Sequence, residues 1–329
     1  MPVKIVPKGA SNKKETGSKT ILSPELLEGK VAAPITVSDP FIDKISIVVK
    51  PASEAEAVDI HNALWVAFYD KGTFNKAGPE ASKGYQDARF VHLDSTAARP
   101  LIQYRGHNGK AELIRLEFNP RKLGEDGFVE FGAYMDSVVP DGWEYVVTNG
   151  HVTRIDVAVD VTGVRIGDLL CLPKQGLTST TWGVDGHAQT IHLGKKGNQT
   201  SIYNVKAKRL TKKQKWTGPT KIRIERRLRN PEFHGLADLA KLANPFAGLV
   251  MTKPLPPPAP GMKTWEWAMF GDSVQVRGLT AALALLPKER RLKYRAYLKS
   301  HPQPWWQPAD LWEHWQEIVE ESRLTAFKP

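Results

Sequence analysis

Three triplets in this chain set a cation and a carboxylate two residues apart around an aliphatic side chain: Arg115-Leu116-Glu117, Arg154-Ile155-Asp156 and Arg223-Ile224-Glu225. Each lies in a segment that reads as a β-strand. Alternate strand residues share a face, so every triplet puts its two charges on one side, about 6.7 Å apart, and its aliphatic residue on the other. Three such strands side by side would give a sheet with an apolar back and a front lined by carboxylates and guanidiniums. A metal-dependent site for phosphodiesters could be built on that front. The plainer alternative is cross-strand salt bridging on a solvated face, which adds little stability.

A nucleophile is also in place. Tyr203 lies in the strand-like TSIYNVK, followed by Lys206 and Lys208. A free phenol with pKa about 10 is a weak nucleophile, so the expectation is that nearby cations favour the phenolate. A tyrosine in a sheet more ordinarily packs its ring against a neighbour.

Charge placement points to a polyanion. Net charge is +11, and residues 201–230 hold eleven cations: Lys206, Lys208, Arg209, Lys212, Lys213, Lys215, Lys221, Arg223, Arg226, Arg227 and Arg229. Glu225 is the one acid among them, so this segment carries +10. Interleaved with strand-forming residues and Trp216, it reads as a nucleic-acid surface. The DNA contacts expected from it are Lys208, Arg209, Lys212, Lys213, Lys215, Arg226, Arg227 and Arg229.

The rest of the chain supplies the frame. With 329 residues, 41% hydrophobic and 25% charged, it is globular in composition and long enough for a substantial core. A single cysteine, Cys171 in LLCLP, excludes an intrachain disulfide framework and a multi-cysteine zinc site, and suits a reducing cytoplasm. No apolar run is long enough to span a membrane, and the basic N-terminus lacks the apolar stretch of a secretory signal.

Residues 1–38, rich in Lys, Gly, Ser and Pro, read as a flexible basic arm. Residues 39–250 read as the catalytic and DNA-binding domain. Strands are expected at 44–50, 100–105, 112–119, 152–160, 188–194, 200–206 and 221–228. Ser53 opens a helix through a capping box, with Ala57, Ile60, Leu64 and Phe68 on one face. A loop is expected around 70–85, a second helix near 127–138 and a short one at 166–170. This order parses as two β-α-β-β units and a closing strand: an α+β fold with an antiparallel sheet of five or more strands and helices on one face. Residues 251–262, with KPLPPPAP inside them, read as a stiff linker. Residues 263–329 read as a small helical domain that holds six of the ten tryptophans. Core packing is the default for these; Trp305 and Trp306 are the two weighed for base stacking.

In order, LIRLEFNP, RIDVAVD, a strand ending in Leu193-Gly194, SIYNVK and KIRIERRL resemble the Rep_trans-type replication initiators of rolling-circle plasmids and filamentous phages. DSVQVRGLTAALALL and PWWQPADLW resemble the tail of the phage members. The likeness spans roughly residues 41–320 and is most specific in 152–228. It implies an enzyme of a bacterial host that nicks origin DNA through a 5′-phosphotyrosyl link, frees a 3′-OH for polymerase, and later reseals the strand. Tyr203 matches the nucleophile, and Asp156, Glu225 and Glu117 match acidic positions suited to Mg²⁺ or Mn²⁺. Lys206 and Arg223 are then the cations expected at the phosphate. Origin DNA is the implied partner, with host helicase and polymerase beside it. Two departures stand out: Val205 separates Tyr203-Asn204 from Lys206, and the His-hydrophobic-His motif of wider rolling-circle enzymes is missing. Two other readings stay open: a non-catalytic DNA-binding regulator, and a metal nuclease that uses water.

Overall fold

The computed structural model describes residues 34–69, 74–107, 113–172, 179–184, 187–195, 197–231, 235–252 and 255–325. The basic arm expected at residues 1–38 lies almost wholly outside them. Its last part does not: Thr36–Val37 form β1 and pair with the strand that carries Asp156.

The main sheet is built from β2 (Phe41–Val49), β3 (Phe74–Lys76), β4 (Tyr85–Val91), β5 (Leu101–Gly106), β6 (Ile114–Phe118), β7 (Gly150–Thr162), β9 (Ser179–Val184), β10 (His187–Gly194), β11 (Gln199–Asn204) and β12 (Lys221–Arg229). Its order is β3-β4-β5-β6-β2-β7-β12-β11-β10-β9, antiparallel throughout, with β1 beside β7. A second, two-stranded sheet pairs β8 (Leu170–Leu172) with β13 (Val250–Thr252). The expected α+β architecture holds. Six strands, β1, β3, β4, β8, β9 and β13, add to those legible in the sequence, and β3 and the start of β4 fall in the loop read at 70–85.

Alternation makes the two faces of this sheet chemically opposite. On the back, Ile45 and Ile47 of β2, Ile155, Val157, Val159 and Val161 of β7, and Ile222 and Ile224 of β12 join one buried core. Helices α1 (Glu54–Tyr69), α3 (Pro120–Val138) and α4 (Gly142–Asn149) contribute to it. Ser53 Oγ accepts from Glu56 N at 3.1 Å, and Ala57, Ile60, Leu64 and Phe68 are the buried residues of α1. Asn119 caps α3, its side chain accepting from Lys122 N at 2.9 Å, and Gly124 (φ 65°) kinks the helix one turn later. Two short helices lie on the front: α2 (Pro79–Ser82) over the β4–β5 end, and α5 (Val205–Thr211) beside β11 and β12.

Where α4 meets β7 the backbones approach closely. A Cβ on Gly150 would stand 2.3 Å from the Val146 carbonyl oxygen and 2.8 Å from Ile47 Cγ2. Gly150→Ala should therefore cost about 2 kcal/mol as strand and helix move apart, read as a lower urea midpoint.

Beyond β13 the chain is helical: α6 (Thr264–Arg277), α7 (Leu279–Ala284), α8 (Lys288–Lys299), α9 (Pro308–Trp312) and α10 (Trp315–Glu321). The packing of this region is divided. Trp306, Trp315, Val319 and Leu324 join the main core, while α6, α7 and α8 surround a second one with Leu172. Trp306 is buried with its indole N–H on the Leu249 carbonyl, so it is not a base-stacking platform, and Trp305 packs half-buried against the same core.

Candidate active site

The register across five central strands decides what sits together. Arg223 of β12 faces Tyr203 of β11 on one side and Asp160 of β7 on the other. Glu225 pairs with Ser201 and Ala158, and Arg227 with Asp156. Tyr203, Arg223, Glu225, Arg227, Asp156 and Asp160 therefore share the front. This is the charged surface that the triplets imply.

Tyr203 is 5% exposed, yet its ring lies on this front layer and not in the apolar core. Its hydroxyl donates to Glu225 Oε2 at 3.0 Å. Above the ring, Lys208 places its ammonium 3.5 Å from the centroid and 3.9 Å from Glu225 Oε2. The placement follows from local sequence. Asn204, next to the tyrosine, stops the strand and caps α5 by accepting from Ala207 N at 3.1 Å. The first turn of that helix then carries Lys208 back over the ring. The strand expected to run to residue 206 ends at Asn204 for this reason. Lys206, expected at the phosphate, sits exposed on α5, and it is Lys208 that covers the tyrosine.

Electrostatics at the phenol run against the simple expectation. Burial first, and then the Glu225 carboxylate and Asp43, push the Tyr203 hydroxyl well above the usual phenol range, with Arg223 opposing. A free phenolate is not prepared here; the proton is held on the phenol and aimed at a carboxylate. Glu225 is itself raised, mainly by burial and further by Asp156 and Asp43, against the pull of Lys208. A carboxylate so raised is a stronger base than an exposed one.

The remaining acids are held by cations. Asp156, 1% exposed, accepts from Arg154 Nε at 2.8 Å, takes a second bond from Arg154 Nη2, and has Arg227 Nε at 3.5 Å. Asp160 accepts from Lys221 Nζ at 2.6 Å and from Arg223 Nε at 2.7 Å. Asp43, at a bulge in β2, takes Arg223 Nη1 at 2.6 Å. Glu117 accepts from Lys44, Arg115 and Ser46. It stands on β6, three strands from Glu225 and level with Arg229 in register, and so about 20 Å away in the sheet. The three acids named for one metal site therefore do not converge. Asp156 and Glu225 are diagonal neighbours about 7 Å apart, whereas Glu117 serves a separate ion-pair cluster.

Burial alone would raise the Asp160 carboxyl, but bonds from Arg223 and Lys221 outweigh it and hold the group below the usual carboxylate range. Its folded value lies under its unfolded one. The pairing thus contributes stability above the unfolded carboxylate pKa, and that contribution is lost as pH falls through the folded value. Asp160→Asn should cost about 3 kcal/mol at pH 7, by leaving Arg223 and Lys221 short of a partner. Urea titrations at pH 7 and in acid should show the difference shrinking toward acid.

Of the expected DNA contacts, Lys212, Lys213 and Lys215 are exposed just beyond α5, and Arg209 lies over Trp216 with 5.0 Å to the ring centroid. Arg229 is exposed at the end of β12, and Arg227 borders the site. Arg226 is different. It pairs with Thr200 and Val157, points to the back of the sheet, and bonds Thr200 Oγ1 at 3.4 Å, so it is not part of the front surface. Asp43 was not singled out from sequence. His192 Nδ1 is 3.0 Å from Ser201 Oγ, and burial followed by Arg227 and Lys208 lowers its pKa. Asp43 precedes the regular alternation of its strand, and only the bulge turns it to the front.

No family model matches the chain, and no curated protein matches it. Among solved structures, a rolling circle replication initiator protein from Geobacillus stearothermophilus aligns over 74% of this chain and 98% of its own, at 14% identity and a TM-score of 0.37. Nothing about activity follows from a likeness this faint.

A divalent ion has a narrower place here than the sequence implies. Among the described residues no three acid, histidine or cysteine side chains are grouped for one ion. Mg²⁺, however, is ordinarily held by one or two carboxylates plus substrate phosphates and water. The surplus negative charge that Asp156 and Asp43 impose on Glu225 is what such an ion would relieve.

Proposed function

We propose that this protein is a DNA nicking-joining enzyme of the replication-initiator kind, with Tyr203 as nucleophile. The observation that carries the reading is the bond from the Tyr203 hydroxyl to Glu225 on a cation-rich sheet face. Together with the order of motifs through residues 152–228, it supports covalent strand transfer over simple binding.

In this mechanism the Tyr203 oxygen attacks phosphorus in line with the departing 3′-oxygen. The phenol proton passes to Glu225 Oε2 as the O–P bond forms. The P–O3′ bond breaks, the 3′-oxygen takes a proton from solvent, and the 5′-phosphate stays on tyrosine. Lys208, Arg223 and Arg227 offset the charge on the non-bridging oxygens. Lys208 must first leave the ring, and a phosphate, which offers its ammonium a stronger partner than a π-face, supplies the pull. Resealing reverses the path, with a 3′-OH as attacker and the protonated Glu225 returning its proton to tyrosine. The energy of the cleaved bond is kept in the phosphotyrosine, so no nucleotide is consumed.

Glu225 is the residue that would hold Mg²⁺ or Mn²⁺ together with substrate phosphate and water, and Asp156 would join it on release from Arg154 and Arg227. Bound there, the ion would polarise a phosphate oxygen and stabilise the leaving oxygen. The bacterial cytoplasm and origin DNA follow as setting and partner of such an enzyme. Among the described residues no helix is long and apolar enough to cross a membrane.

The test is to incubate the protein with supercoiled DNA bearing the cognate origin and Mg²⁺, then denature. A nicked strand joined to protein at its 5′ end supports the reading. Binding without cleavage would make the chain a regulator, and cleavage without attachment a water-using nuclease. A parallel sample in EDTA reads the metal requirement.

A further inference from the structure

The cations of residues 201–230 are not the only basic surface. Helix α8, KERRLKYRAYLK, holds Lys288, Arg290, Arg291, Lys293, Arg295 and Lys299 against Glu289, a net of +5 in twelve residues. This and the +10 segment together exceed the +11 of the whole chain, so the remainder is acidic on balance. The positive charge is thus gathered at two places in the fold. One lies on β11, α5 and β12, and the other on α8, which packs against α7, β8 and β13.

The setting of α8 gives that charge a purpose. Helix α7 is joined to α8 by three residues, Leu285, Leu286 and Pro287, and α6 packs against α7. Short helix, three-residue turn and longer helix over a third helix is the plan of a helix-turn-helix unit. Its core is formed by Trp267, Phe270, Leu279, Leu283, Tyr294 and Leu298. Tyr294 meets Trp267 and Phe270 edge-on at 4.9 and 5.1 Å. The apolar anchors of α8 lie in its later part; in the first part Arg290 reaches Glu266 of α6 at 2.9 Å and Arg291 the Leu286 carbonyl at 3.3 Å. From Lys288 to Lys293 every residue is exposed, including Leu292 at 50%. A helix packed at its far half and solvent-exposed over its first turn and a half is how a recognition helix presents itself to DNA.

We propose that α8 is a second nucleic-acid site that enters the major groove of duplex DNA, apart from the front that carries Tyr203. Duplex fits better than other polyanions. The groove admits one helix, and Arg and Lys read guanine edges there while Leu292 offers an apolar contact for a thymine methyl. Single-strand sites rely on aromatic stacking, and the tyrosines of α8 face inward: Tyr294 is buried and Tyr297 half-buried. A membrane-surface helix would need its apolar face free, whereas Tyr294 and Leu298 are consumed by the core. Double-stranded RNA has too narrow a major groove. The inference does not depend on the reading of Tyr203.

Fluorescence anisotropy on the full chain decides it. The probes are a pool of 30-bp DNA duplexes with random centres, single-stranded dT30 and a 30-bp RNA duplex, each at several salt concentrations. Lys288→Ala/Arg291→Ala/Lys293→Ala should weaken duplex DNA binding about tenfold or more and lower the salt slope by about 2 to 3. Binding of dT30 should change by less than twofold. Because all three side chains are exposed, the variant should melt like wild type; the single charge reversal Lys293→Glu gives an independent reading if it does not. Unchanged duplex affinity and slope in both variants would overturn the proposal. So would an equal loss on duplex and dT30, or a preference of wild type for the RNA duplex.

Discussion

Tyr203→Phe should abolish the covalent protein–DNA adduct and reduce nicking by about 10⁴-fold or more, as loss of a nucleophile does when no other group replaces it. The substitution is mild for the fold. Phenylalanine keeps the ring, its packing under Lys208 and its place opposite Arg223, and gives up one hydrogen bond to Glu225. DNA affinity in a gel shift should stay within about twofold, because the exposed cations beyond α5 are untouched. Nicking is read as conversion of supercoiled to open-circular DNA, and attachment as a denaturation-resistant band. Undiminished nicking by the variant would remove tyrosine from the chemistry and leave water as the attacker.

Glu225→Gln is the second large effect. An amide keeps the shape of the carboxyl and can still accept from the phenol, but it cannot take the proton away. Loss of a general base of this kind costs about 10²- to 10⁴-fold. The pH profile carries the sharper signature. Glu225 must be ionised to act, and burial with its acidic neighbours sets its pKa above the normal carboxylate range. Wild-type nicking should therefore fall in acid as Glu225 takes up a proton, and the glutamine variant should lack this limb. Stability moves the other way: a carboxyl raised on folding is a cost at neutral pH, so the variant should unfold no more easily than wild type. Were Glu225 only a metal ligand, excess Mg²⁺ would restore the variant; no rescue is expected from a missing base.

Much of this site can be read from the sequence, and the reasons are local. Period-two alternation in RIDVAVD and KIRIERRL is strict enough to assign Asp156, Asp160, Arg223 and Glu225 to one face, and the register agrees. The capping box at Ser53 and the buried stripe of α1 were equally plain. What stayed hidden depends on single residues that break a pattern. Asn204 reads as one more strand residue until its side chain is seen capping α5, and that cap decides that Lys208, two residues beyond Lys206, reaches the tyrosine. Arg226 looks like its neighbours in an Arg-rich run, yet parity turns it to the back. Strand β4, YQDARFV, mixes charges with few β-branched residues and buries only Ala88 and Val91, so its composition does not announce it. Glu117 shares the triplet motif of the other acids, but the motif says nothing about strand order, and β2 and β7 lie between it and Glu225.

The alternation along β7 also constrains how the sheet can assemble. Slide this strand by one residue against its neighbours and Arg154, Asp156 and Asp160 would enter hydrocarbon while four branched aliphatics faced water. Such a misaligned sheet would bury charges without their partners, so the groups that equip the surface for catalysis also keep the chain from settling into a wrong pairing.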